Sequence, residues 1–379
     1  MKFKRLTAVA MAAVLGATVL TGCGVKNDEV IATLGDVEVK AGTVNFMSKL
    51  SQYFADDFYT MYYGENYWTQ SATSGGTNYD TLKNSQLEAA HAYYSLQAHM
   101  GDYNVVLSDD ELAEVDRAAK DFIAANSQEA LKAMSAEEEY VKEYLRLTLI
   151  YQKMYDEIIK GADTNVSDED ANMRGYTKVV IGTVSYTDSN YQTVKYTEEE
   201  IADLKKKAQT IVDEVKAGKT LEEAAEGVEL KASEASYGKD DTSLPDDVKS
   251  TLDKMKEGMT SDVITTDTAL YIVRLDKETD EEATESNRQS IIKSRQSEFF
   301  QTKLEEIQKD DGWTVNEKVA KKISFTCHFT SVDPNAVNSE SEKTSESEKT
   351  TETEKTTETE KTTETEKSTE TEKSTETEK

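Results

Sequence analysis

Side chains suited to nucleophilic or metal chemistry are few in this chain. Its 379 residues hold three histidines, His91, His99 and His328, and two cysteines, Cys23 and Cys327. A hydrolytic triad or a transition-metal site needs several such groups to converge. Their wide spacing supports neither, and no metal site is expected. The stretch ADTNVSDEDAN (162–172) has the acids of a calcium loop, yet Asp168 stands where the EF-hand turn needs glycine and Arg174 where it needs a closing glutamate. Cys23 alone has a context that assigns it chemistry. Lys2, Lys4 and Arg5 precede the apolar run LTAVAMAAVLGATVL (6–20), which is short for a membrane span, and LTGC (20–23) follows. Small residues at Thr21 and Gly22 before the Cys23 thiol form a bacterial lipobox. Residues 1–22 are therefore expected to be a signal peptide, and the Cys23 sulfur to carry diacylglycerol. The polypeptide is expected outside the cytoplasm, on the outer face of the cell membrane, held by acyl chains. Cys327 then has no cysteine partner and reads as a small apolar filler in FTCHF (325–329).

The formal charge is -30. Such a chain repels phosphate backbones, and no nucleic acid partner is expected. Only two prolines, Pro245 and Pro334, interrupt the sequence, which suits long helices. The TETEKT/TETEKS repeats at the C-terminus lack apolar side chains, so residues 338–379 are expected to form a disordered tail.

The elements between these ends follow from periodicity. DEVIATLGDVEVK (28–40) alternates around Gly35-Asp36 and predicts a β-hairpin. TVNFMSKLSQYFADDFYTMYYG (43–64) predicts a helix with Phe46, Met47, Leu50, Phe54, Phe58 and Met61 on one stripe. That stripe reads either as core or as an apolar groove for unfolded chains. Phe54, Phe58, Tyr62, Tyr63 and Trp68 are the candidate client-binding residues, and each reads equally as core. Helices follow over 82–101, 108–125 and 135–161, the last two opening on the capping-box pairs Ser108/Glu111 and Ser135/Glu138. Beyond the polar stretch 162–172 the pattern becomes β-α-α-β-α-β over about 100 residues. Its parts are TKVVIGTVSY (177–186), a helix in 196–219, a short helix capped by Thr220 and Glu223, KASEASYG (231–238), a helix from Pro245 to Lys256, and ALYIVRL (269–275). The last strand is apolar on both faces and is expected to pair centrally with the first. A long helix in 286–310 resumes the helical pattern, with WTVNEKVAKKISF (313–325) ending strand-like.

Four stretches carry a resemblance: VIATLGDVEVKAGTVNFMSKL (30–50), AHMGDYNVVLSDDEL (98–112), VDEVKAGKTLEEAAEG (212–227) and KEGMTSDVITTDTALYIVRL (256–275). In this order they resemble the extracytoplasmic foldases of the PrsA and SurA type, which contain a parvulin-like peptidyl-prolyl isomerase domain. The resemblance implies an α+β protein. A mainly helical chaperone region is built from residues 23–172 and 278–333 and is interrupted by a parvulin-like domain at 173–277. It implies no cofactor. The implied partners are unfolded or nascent secreted polypeptides and, through the lipid anchor, the membrane. Active parvulins use two histidines across the sheet, a polar Cys or Asp, and a Met/Phe pocket for the proline ring. Here no histidine, cysteine or phenylalanine lies in the 173–277 stretch, and Tyr271 occupies the second histidine's position. The expectation is a membrane-anchored foldase or chaperone with weak or no isomerase activity. The alternatives are an active isomerase and a solute-binding or surface scaffold lipoprotein.

Overall fold

A computed structural model describes residues 15–19, 25–323 and 327–331. Cys23 and the repeat tail lie outside the described residues.

The first long helix, α1 (Ala41–Tyr63), follows a hairpin of β2 (Val30–Leu34) and β3 (Val37–Lys40), whose turn uses Gly35 at φ 56. That left-handed conformation is open to glycine at no steric cost. β10 (Trp313–Val315) joins the other edge of β2, so residues almost 300 positions apart complete one three-stranded sheet in the order β10-β2-β3. Within 313–325 a strand stands at the start, followed by the one-turn α11 (Glu317–Ala320); the end of the stretch, where strand character was expected, lies outside the described residues. Ile31, Val39, Val44, Met47, Ala90 and Leu147 fill the core beneath this sheet.

Around α1 pack α2 (Asn78–Ala98), α3 (Asp109–Ala125) and α5 (Glu138–Ile158). Phe46 meets Phe122 edge-on at 5.4 Å, in a cluster with Leu50, Val115, Met134 and Leu145. The Ser108/Glu111 capping box forms as expected. The Ser135/Glu138 pair does not. Glu137 is the N-cap of α5, without a side-chain bond. Ser135 lies before it at φ 54, buried, accepting a hydrogen bond from Asn45 Nδ2 at 2.8 Å. Two short helices that no long apolar stripe announces, α4 (Gln128–Ala133) and the single turn α6 (Asp168–Ala171), are each started by a serine cap, Ser127 and Ser167.

The middle of the chain forms a four-stranded antiparallel sheet in the order β7-β4-β9-β8. Its strands are β4 (Met173–Gly182), β7 (Ser233–Gly238), β8 (Ile264–Thr265) and β9 (Ala269–Lys277). As expected, β9 is central and pairs with β4 along its length, Tyr271 opposite Val180. One face carries Val179, Ile181, Leu270 and Ile272 against α7 (Glu198–Lys216) and α8 (Leu221–Glu226). The other carries Tyr176, Val273 and Leu275 against α9 (Asp246–Lys254). The alternation of β9 thus supplies two cores, one per face. Between β4 and α7 a small hairpin, β5 (Ser185–Thr187) with β6 (Thr193–Lys195), stands off the sheet with Tyr191 almost wholly exposed.

Helix α10 (Glu281–Gln308) leaves the sheet and returns to the helical region, packing on α2 and α5 through Phe300 and Leu304. The loop after it is clasped to α2. Asp311 Oδ2 accepts from Ser95 Oγ at 2.7 Å and meets His91 Nε2 at 2.8 Å, its Oδ1 accepts from the Trp313 amide, and the His91 ring stacks on Trp313 at 4.7 Å. One further pair, β1 (Leu15–Val19) with β11 (Cys327–Ser331), makes a separate two-stranded sheet beside α1 and α4.

Candidate functional site

Two surfaces are candidates for function: the sheet face around Tyr271 and the outer half of α1.

The face around Tyr271 is built from alternate residues of β4 and β9. Val180 lies opposite Tyr271 on one side and Ile264 on the other, so its cross-strand neighbours are both apolar. Beneath it Tyr176, Tyr237, Leu244, Val248, Leu252, Met255, Val273 and Leu275 are packed together and buried. Burial, with Asp241 and Tyr271 nearby, pushes the Tyr176 hydroxyl up from its ordinary pKa. Tyr271 is half-buried, while Val180 and Met259 are exposed. No histidine lies in this unit; His91 and His99 are both on or beside α2 in the helical region. Tyr271 therefore faces a valine and an isoleucine across the sheet, with no imidazole in this unit.

Polar contacts in this unit are structural. Arg174 of β4 donates to the carbonyls of Leu252 and Met255 at 2.9 and 3.0 Å, closing the C-terminus of α9, and to Tyr237 Oη at 3.0 Å. A cation at the negative end of a helix is favourable. Tyr237 Oη in turn donates to Asp253, and burial followed by that carboxylate pushes its pKa to about 12. A cavity of about 450 Å³ opens beside this group, lined by Asp168, Arg174, Tyr237, Lys239, Lys249 and Asp253. Its lysines are already paired, Lys239 with Asp170 and Lys249 with Asp253. It lies at the Arg174 end of β4, roughly 20 Å along the strand from Val180 at 3.4 Å per residue, and so is no part of a Tyr271 cleft. On the opposite face Arg274 forms a bidentate pair with Glu222 of α8, both bonds 2.8 Å, and also reaches Asp276 and Thr177. The Arg274 hydrogen bonds hold the Glu222 carboxyl at about 2, against an ordinary 4.5.

The second surface lies on α1. Its first half is core: Phe46, Met47 and Leu50 are 1–2% exposed. Past Tyr53 the same stripe emerges into solvent, with Phe54 61%, Phe58 55%, Met61 79%, Tyr62 65% and Tyr63 59% exposed. Spacings of four and three or four residues align Phe54, Phe58, Met61 and Tyr62 on one face, about 12 Å long at 1.5 Å per residue. Phe58 and Tyr62 touch at 4.8 Å. Trp68 does not belong to this row. It is 3% exposed, folded under the loop after α1, donating Nε1 to Asp56 Oδ1 at 2.7 Å, with Tyr59 and Tyr67 against its ring. A tryptophan with a buried carboxylate partner is a packing residue, and its candidacy for client contact is withdrawn. The reading of the stripe as core or groove thus divides at Tyr53, because nothing among the described residues covers the second half.

The His91–Asp311–Ser95 group unites three residue types of a hydrolytic triad that sequence spacing could not bring together. Its order is wrong for nucleophilic catalysis: Ser95 and His91 both meet the same carboxylate oxygen, and Ser95 Oγ bonds that oxygen and the His91 carbonyl, not the His91 imidazole. It holds a loop to a helix.

Comparison with known proteins bears on the sheet unit. Residues 184–288 match the family described as the PPIC-type PPIASE domain. No curated protein sequence matches the chain. Among solved structures it is similar to the foldase protein PrsA of Streptococcus pneumoniae, with 18% identity, 67% of this chain and 97% of that one covered, and a TM-score of 0.28. It is also similar to a SurA-like chaperone of Campylobacter jejuni, at 14% identity over 76% and 98% of the two chains with a TM-score of 0.27. PrsA of Bacillus anthracis gives 16% identity, 60% and 99% coverage and a TM-score of 0.27. The peptidyl-prolyl isomerase part of the resemblance, the parvulin-like domain, is borne out by the domain match. The matched span omits β4, which pairs with β9 and β7, and runs into α10.

Proposed function

We propose that this chain, which carries a PPIC-type PPIASE domain, is an extracytoplasmic foldase-type chaperone that holds unfolded secreted polypeptides on its helical region. The exposed stripe Phe54, Phe58, Met61 and Tyr62 carries this reading. Contiguous apolar side chains left in water cost free energy unless something covers them during function. A sequence-tolerant client of unfolded apolar segments fits a flexible row of aromatic and methionine side chains. Helical segments 23–172 and 278–333 would form the holding region, with 173–277 as the inserted parvulin-like unit. Cys23 would anchor the whole to the outer face of the membrane through its acyl chains.

In this reading the parvulin-like unit contributes little or no isomerase activity. Lowering the X–Pro barrier of about 18–20 kcal/mol requires polar groups poised around the twisted amide. Around Tyr271 the cross-strand neighbours are Val180 and Ile264. The domain match favours a second reading, an active isomerase, and the two divide cleanly in one pair of assays. The chain from residue 24 onward is expected to suppress aggregation of a denatured client at equimolar ratio and to give background turnover of an X–Pro peptide in a protease-coupled assay. Absence of suppression overturns the chaperone reading. Strong turnover abolished by Tyr271→Phe establishes the isomerase instead.

A further inference from the structure

The β1–β11 pair places a piece of the expected signal peptide in a seat on the folded chain. β1, LGATV, pairs antiparallel with β11 in unbroken register from Leu15↔Ser331 to Val19↔Cys327 and lies against α4. β11 is anchored without β1. The Phe329 side chain is 1% exposed within the cluster of Phe46, Leu50 and Phe122, and its amide donates to the buried carboxylate of Asp56 at 3.0 Å. Backbone groups of a strand point alternately to its two edges. With the Phe329 amide turned to Asp56, the amides and carbonyls of His328 and Thr330 face β1. Asp56 therefore closes one edge of β11, and a two-stranded sheet leaves β1 as the strand that covers the other. Cleavage before Cys23 would remove that strand and leave the His328 and Thr330 backbone groups unpaired beside α4.

From this we infer that β11 is a strand-addition site, and that an extended, apolar, β-prone segment of a client polypeptide takes the place of β1 in the processed protein. The inference rests on the foldase reading and adds to it a second contact with different chemistry. Along α1 a client would be held by side chains; along β11 it would be held by main-chain hydrogen bonds, which do not depend on sequence. LGATV identifies the occupant: an uncharged segment of small and aliphatic residues, with the β-prone Thr18 and Val19 at its end. In the unprocessed chain the seat is filled by the chain's own segment, so client capture at this edge would begin only after cleavage.

Register makes the test specific. A labelled peptide AVLGATVLT, copied from residues 13–21, is titrated by fluorescence anisotropy into the chain from residue 24 onward and into the chain from residue 13 onward. Saturable binding is expected to the first and binding at least about tenfold weaker to the second, one ladder of hydrogen bonds being decisive at that scale. N-methylation of the peptide at the residues matching Gly16 or Thr18, which lie opposite Thr330 and His328, is expected to abolish binding; N-methylation at Ala17, opposite Phe329, is expected to be tolerated. Equal binding to both chains, or equal sensitivity at all three peptide positions, overturns the inference. So does a dimer of the shortened chain that fails to take up peptide, which would assign the edge to a second copy. Phe54→Ser with Phe58→Ser separates this site from the foldase reading. If that variant loses aggregation suppression but keeps register-specific peptide binding, both surfaces stand. If peptide binding is absent while suppression persists, only the strand-addition site fails.

Discussion

The helical region and the sheet unit treat the same kind of residue in opposite ways. In the sheet unit β9 turns every large apolar side chain into one of two cores, and Leu270, Ile272, Val273 and Leu275 are all 0% exposed. In the helical region α1 starts as tightly buried and then carries phenylalanines, methionine and tyrosines into solvent for its last two and a half turns. The difference shows where a broad, shallow binding surface can reside. A sheet packed on both faces leaves only separate apolar groups such as Val180 and Met259 in water, whereas a helix that outruns its neighbours offers a contiguous row at no cost to its own core.

Unfolding one region while sparing the other breaks this comparison most severely. Leu270→Ala removes a wholly buried side chain between the sheet and α7–α8, and is expected to destabilise the sheet unit by about 2–5 kcal/mol. Denaturant unfolding followed by sheet-sensitive circular dichroism should show it, while aggregation suppression persists if that activity belongs to α1. The reverse experiment uses Phe54→Ser with Phe58→Ser. Both side chains are more than half exposed, so the unfolding midpoint should stay within the range of ordinary surface substitutions. Client suppression should fall about tenfold or more, since each lost aromatic contact is worth about 1.5–3 kcal/mol when fully covered. A variant that folds as before and suppresses aggregation as before would assign client holding to another surface. A smaller effect is expected from Asp311→Ala, which takes away an acceptor shared by Ser95, His91 and the Trp313 amide. A loss of about 1–3 kcal/mol, read in the unfolding of the helical region, would match their burial.

Much of the fold was legible because its signals are local. The Ser108/Glu111 and Thr220/Glu223 boxes, the Gly35 turn and the double-faced apolar run of β9 each declare themselves within a few residues. The Ser135/Glu138 pattern misled because Asn45, ninety residues away, holds Ser135 in a left-handed conformation that a capping residue does not adopt. The Phe54–Tyr62 row was legible as a stripe but not as an exposed one: periodicity gives a face, and only the neighbours decide whether it is covered. Trp68 shows the converse, since its partner Asp56 on α1 and the stacked Tyr59 and Tyr67 pull it inward. The clasp around Asp311 and the third strand β10 join residues more than 200 positions apart, and no local pattern records such pairings.

A last and smaller effect on the sheet unit comes from acid acting on Glu222. Glu222 on α8 is held at about 2 by hydrogen bonds from Arg274 on β9, against 4.5 in the unfolded chain. A depressed carboxyl pKa means that the unfolded state binds the proton first. The stabilisation is complete above pH 4.5 and is lost as pH falls through the window from 4.5 to about 2. Part of the pair is open to water, so salt should shrink the effect. Unfolding measured at pH 7 and pH 3 in Glu222→Gln and in the unaltered chain should therefore differ more at pH 7 than at pH 3. The difference should appear in the sheet unit, which holds Glu222, and be absent from the helical region, whose own depressed carboxyls, Asp80 and Asp311 among them, are the same in both chains. A Glu222→Gln chain with unchanged pH dependence would mean that Arg274 draws its support from Asp276 and Thr177 alone, and that α8 is held to the sheet by the apolar contacts of Leu221, Ala224 and Ala225.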